Sequence, residues 1–155
     1  VLGCGCAFDP AADDRFQHQG RGLETAVLRA LEDAAIGPQD IGYVCSCANS
    51  TTGLDRMESA VIRRVFGRHA DRLPVSSIKS ILGESCSASG GLALAAAVGV
   101  LQQGVIPPTI NYRMPDPYCD LDYVPGTARQ AKVSRVLVTA ADPFGQNSAV
   151  IIGRI

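Results

Sequence analysis

The chain has 155 residues, 46% of them hydrophobic and 19% charged, which excludes intrinsic disorder and fits one ordinary domain or a part of a larger one. Fourteen basic residues against fifteen acidic ones leave a net charge of −1, so no basic field exists to hold nucleic acid or an anionic membrane. Aromatic residues are only 5%, with no Trp, which argues against a base-stacking platform.

Residues 1–7 read as a strand, and the opening VLGCGCAFDP lacks the basic and apolar regions of a signal peptide. The polar, Pro-containing residues 9–21 read as a surface loop. Leu23, Val27, Leu31 and Ala35 recur at helical spacing, and Gly37-Pro38 closes that helix. Residues 41–48 are an apolar run with few charges, hence a buried strand, and residues 49–54 are turn-rich. Met57, Val61 and Val65, beside Ile62 and Phe66, predict a second amphipathic helix ending near Gly67. Residues 73–77 form a further short strand. Residues 88–101 are small and apolar all round, which predicts a buried helix rather than a surface one. The apolar run within it, residues 92–101, is too short to span a bilayer. Two β-branched runs, 133–140 and 149–155, flank the loop 142–147 and predict an antiparallel pair. The order as a whole is α/β, with helices flanking one mixed sheet.

Six cysteines occur, at Cys4, Cys6, Cys45, Cys47, Cys86 and Cys119. Four form two C-x-C pairs, and on a strand such pairs share a face, so their thiolates could converge on zinc. Structural zinc, however, uses wider C-x(2–4)-C knuckles. Without a secretory leader a disulfide framework is not expected either. The six are therefore read as small buried hydrophobes, with no metal. His18 in the polar loop and His69 after a helix end are read as solvated.

Three longer stretches carry more information. VSSIKS at 75–80 is followed by Gly83 and by A-x-G at Ala88 to Gly90. GVIPPTINYRMPDPYCDLDYVPGTAR occupies 104–129, and IGYVCSCANSTTGLDRMESAVIRRVFG occupies 41–67. In this order they resemble the C-terminal half of the β-ketoacyl-ACP synthases, condensing enzymes of the thiolase fold, over essentially the whole chain. The resemblance implies the C-terminal half of a thiolase-like fold, with a mixed five-stranded sheet flanked by helices and one domain over residues 1–155. In that family the nucleophilic cysteine sits on an elbow in the other half, and two histidines of this half stabilise the thioester oxyanion and drive malonyl decarboxylation.

Residue by residue, the first histidine's position is Cys47 and the second's is Glu84. A thiol is a weak donor, and an ionised glutamate repels a carboxylate substrate. The Gly-Phe-Gly-Gly gate before an Asn becomes Asp142-Pro143-Phe144-Gly145, with Asn147 kept. Of the two threonines that touch the phosphopantetheine arm, one is Asn49 and the other remains Thr51; Lys79, Asp55 and Glu58 match the pattern. The acidic partner of the motif lysine falls at Ala93, so Glu84 is expected to pair with Lys79 near the start of the following helix. Cys47, Asn49, Thr51, Lys79, Glu84 and Phe144 would border a pseudo-active site, with Asn147 beside it.

What the resemblance implies is a non-catalytic, chain-length-factor-like subunit that completes or supports a synthase of type II fatty acid or polyketide biosynthesis. Its partners would be a companion ketosynthase or N-terminal-half subunit and, through the complex, an acyl carrier protein. No cofactor is expected, and the expected location is the cytoplasm. The alternative is the C-terminal half of a split, active synthase whose cysteine lies on a separate chain. Weaker readings are a free-standing acyl-chain or metal binder, and Cys47 itself as a nucleophile.

Overall fold

The computed structural model describes residues 1–12, 16 and 19–154. His18 and the last residue of the 149–155 run therefore lie outside the described residues. Strand β1 (Gly3–Phe8) alternates Gly3 and Gly5 on one face with Cys4, Cys6 and Phe8 on the other. Helix α1 (Arg21–Asp33) lies directly on the glycine face. A Cβ at Gly5 would stand 2.1 Å from the Ala26 carbonyl oxygen, and one at Gly3 would stand 2.5 Å from that of Ala30. Only glycine permits so close a backbone approach. Asp9, buried just past the strand, accepts the Gly22 N–H at 3.0 Å and so caps the first turn of α1. Along the outer edge of β1, the Cys4 N–H donates to Asp33 Oδ2 at 2.8 Å and Arg29 donates to the Cys6 carbonyl at 2.6 Å.

The chain continues through β2 (Tyr43–Cys45), α2 (Thr52–Phe66), β3 (Val75–Ser76), a single-turn α3 (Lys79–Leu82) and α4 (Ser89–Gln103). A two-residue antiparallel ladder of β4 (Val105–Ile106) and β5 (Arg129–Gln130) follows. The chain then ends in an antiparallel hairpin of β6 (Arg135–Ala141) and β7 (Gln146–Gly153). Five strands make one mixed sheet in the order β1-β7-β6-β2-β3. Strand β2 runs parallel to β3 and β6, while β7 runs antiparallel to β6 and β1.

Strand alternation sorts the core into two layers. Val44, Leu137 and Ile151 face α1 and α2, where Leu23, Val27, Leu54 and Val61 cover them. Tyr43, Val136, Val138 and Ile152 face the other way, onto Ala97, Val100 and Leu101 of α4. The structure is thus the α/β arrangement with a five-stranded mixed sheet that the sequence predicts.

Two expectations need correction. Helix α4 is not buried all round: Ala93, Ala97, Val100 and Leu101 are buried, but Leu92 and Val98 are 39% and 43% exposed. One side lies on the sheet, and nothing among the described residues covers the other. Nor are all six cysteines buried. Cys45, Cys47 and Cys119 are, whereas Cys4, Cys6 and Cys86 are exposed, the first two because β1 turns that face away from α1. No cluster that could hold a metal ion occurs among the described residues.

Candidate functional site

Loops from three elements meet at the carboxyl ends of the parallel strands, where open α/β sheets place their ligand clefts. The first runs on from β2 through residues 46–51. It is held by Glu58 of α2, a carboxylate only 2% exposed. Glu58 accepts hydrogen bonds from Ser46 Oγ at 2.5 Å, from the Cys47 and Ala48 N–H groups at 3.1 and 3.0 Å, and from Thr139 Oγ1 at 2.5 Å. Both of its oxygens are thereby satisfied, which is what a buried carboxylate requires. Asp55, one turn earlier, accepts the Asn49 N–H at 3.2 Å. Burial and the neighbouring Glu58 push its carboxyl up to about 6.

The second loop follows β3 and contains Lys79 and Glu84. Lys79 Nζ donates to the Cys47 carbonyl at 2.9 Å and to Glu84 Oε2 at 2.9 Å, which ties the two loops together. Glu84 collects three further donors. Asn49 Nδ2 reaches Oε2 at 3.2 Å, while the Cys86 N–H and Ser89 Oγ reach Oε1 at 3.0 and 2.6 Å. Partial burial alone would raise the Glu84 carboxyl, but Ser89, Lys79 and Asn49 outweigh it and hold it down to about 2. Asn49 is fixed from both ends of its amide, because its Oδ1 accepts the Thr51 N–H at 3.1 Å.

Cys47 is 3% exposed. Burial, with Glu58 adding to it, raises its thiol well above the ordinary range, so it is no thiolate at neutral pH. The third loop, between β6 and β7, is an Asx turn: Asp142 Oδ1 accepts the N–H groups of Phe144 and Gln146 at 2.8 and 2.9 Å. Its Gly145 has φ +95°, and a Cβ there would stand 2.4 Å from the Asp9 carbonyl oxygen.

A cavity of about 860 Å³ opens between these loops and β1. Of the residues that the resemblance puts at the site, Cys47, Asn49, Lys79, Glu84 and Asn147 line it. Thr51 and Phe144 do not. Thr51 is exposed at the start of α2, and Phe144 is 75% exposed at the hairpin tip. Sequence reasoning missed Cys6, Arg29, Cys86 and Ser89 in this wall. The signal for the last two was the run Ser85-Cys86-Ser87-Ala88-Ser89, whose serines favour turns and helix starts. A second cavity of about 660 Å³ lies behind the first. The two share Ser46, Asn49, Lys79 and Glu84, so the Lys79–Glu84 pair stands as a partition between them. Among the described residues, no imidazole stands in either wall.

The family profile of the β-ketoacyl synthase C-terminal domain matches residues 1–113. The chain belongs to the β-ketoacyl synthase family. It is 43% identical over 135 residues to the tetracenomycin polyketide synthase ketoacyl synthase alpha subunit of Streptomyces glaucescens, covering 87% of this chain and 32% of the relative. It is 40% identical over 134 residues to Nodulation protein E of Rhizobium sp. (strain N33), covering 86% of this chain and 33% of that one. Like these two, the first curated relatives it matches are spanned over about a third of their length. Among solved structures, the ishigamide ketosynthase/chain length factor superposes with a TM-score of 0.91 at 33% identity, over all of this chain and 38% of that one. A type II PKS acyl-carrier protein in complex with its ketosynthase bound to the hexaketide gives 0.94 at 27% identity, also over all of this chain and 38% of that one. The fold is therefore that of the C-terminal part of a thiolase-like ketosynthase.

Proposed function

We propose that this synthase domain is non-catalytic and works as a chain-length-factor-like subunit, completing or supporting an active β-ketoacyl-ACP synthase in type II polyketide or fatty acid biosynthesis. One observation carries the reading. The two positions at which the family resemblance puts histidines hold a buried neutral thiol, Cys47, and an ionised carboxylate saturated with donors, Glu84. The thiol is a weak donor and the carboxylate none, so neither can do for a developing oxyanion or enolate what those histidines do. Asn49 and Asn147 would then border the pantetheine arm of a substrate that reacts on the companion subunit. The partners are that companion ketosynthase and an acyl carrier protein, and the setting is the cytoplasm. The relatives that fit this picture are those solved as a ketosynthase/chain length factor and as a ketosynthase with its acyl carrier protein.

The test is co-expression with a companion ketosynthase, followed by incubation with acyl-ACP and malonyl-ACP and intact-mass spectrometry. The acyl group is expected on the companion alone, with this chain unmodified and Cys47→His still inactive. Acylation of Cys47 would overturn the reading. Activity that needs only an N-terminal-half chain beside this one would favour the split active synthase instead.

A further inference from the structure

Glu84 is bound as a ligand is bound. Its two oxygens meet an ammonium, a side-chain amide, a hydroxyl and a backbone N–H: Lys79 and Asn49 on Oε2, Ser89 and Cys86 on Oε1. The donors come from the loop after β2, the start of α3, the short turn at Cys86–Ala88 and the first residue of α4. The Cys86 N–H belongs to the same loop as Glu84, two residues on, but the three side-chain donors are each held in place by something other than Glu84. Asn49 is oriented by the Thr51 N–H and its own N–H by Asp55; Lys79 is anchored on the Cys47 carbonyl; Ser89 accepts the Ser85 N–H at 3.3 Å. Those three donors are therefore preorganised for a carboxylate rather than assembled by this one. It also stands where both cavities reach it.

We infer that Lys79, Asn49, Ser89 and the Cys86 N–H form a carboxylate receptor that the chain fills with its own Glu84, which bars carboxylate-bearing ligands from the partition between the two cavities. Glu84 is in this sense an internal ligand and a determinant of specificity. A thioester with a free carboxylate, such as a malonyl group, finds the cation already neutralised and the donors taken. A neutral acyl chain meets no such barrier. For the identity of the excluded substrate this rests on the function proposed above; the receptor itself does not.

The test is chemical rescue in the intact protein that carries this chain, together with any companion that copurifies. Glu84→Ala empties the receptor and is expected to lower the Tm. Sodium acetate, and formate beside it, should restore the Tm along a saturable curve that sodium chloride at matched ionic strength does not reproduce. The wild type should show no difference between the two salts, and the double variant Lys79→Ala/Glu84→Ala should lose the rescue. If Glu84→Ala does not fold in chloride, its refolding yield in acetate against chloride reads the same quantity. Equal responses to acetate and chloride in Glu84→Ala, or a saturable acetate response in the wild type, would overturn the inference. An acylated Cys47 would refute the non-catalytic reading without touching this result.

Discussion

Two carboxylates of the site, Asp55 and Glu84, are shifted in opposite directions by what surrounds them. Glu84 is gripped by donors and held at about 2, below the unfolded value of about 4.3. Its contribution to stability is therefore complete above that unfolded value and disappears as pH falls through about 2. Glu84→Gln should lower the stability of the assembled protein by about 1–2 kcal/mol at neutral pH, a modest figure because its pair with Lys79 is partly solvated. The gap between variant and wild type should narrow in melts taken from about pH 4 down towards pH 2. A gap that stays constant with pH would show that the charge plays no part. Asp55 behaves in reverse. Burial first, and Glu58 second, raise it to about 6, so the folded state keeps its proton longer than the unfolded one. Stability is expected to fall as pH rises from about 4 to about 6 and to level off above. Asp55→Asn, which retains an acceptor for the Asn49 N–H, should flatten that slope in urea titrations across this range.

At the scale of elements, the sequence already contained most of what the sheet needs. The apolar run at 41–48 and the two β-branched runs near the end became β2, β6 and β7, because alternation and β-branching are local properties. What was not legible is long-range. The GCGC opening reads as a strand, but that its glycines exist to seat α1 follows only when Ala26 and Ala30 are seen against them. Gly5→Ala should cost about 1–3 kcal/mol by overpacking, measured by denaturant melts of the assembled protein. An unchanged midpoint would mean that α1 moves away freely. Likewise α3 and the β4–β5 ladder, four and two residues per element, are shorter than any periodicity can resolve. In the site, Lys79 and Glu84 were picked out by the family resemblance, and charge and spacing then paired them, whereas Cys86 contributes a main-chain N–H, which no residue type announces.

Across the whole molecule, apolar groups remain uncovered on the sheet face that α4 occupies. Phe8 is 66% exposed at the end of β1, and Leu92 and Val98 look out from α4. Exposed apolar surface of this kind marks an interface. Expressed alone, the chain is expected to aggregate on size exclusion, and co-expressed with its companion it should elute as one complex. A monodisperse monomer would sink that expectation. The manner of aggregation is a separate matter, and β1 decides it. A strand at the margin of a sheet with free N–H and C=O groups is a template on which a foreign strand can grow, as in fibres. On β1 the Cys4 N–H and the Cys6 carbonyl are already engaged by Asp33 and Arg29 of α1. Unpaired copies of this chain should therefore clump as amorphous, side-chain-driven particles and give no ordered fibril from this margin; loss of the Asp33 and Arg29 side chains is what would open it to growth.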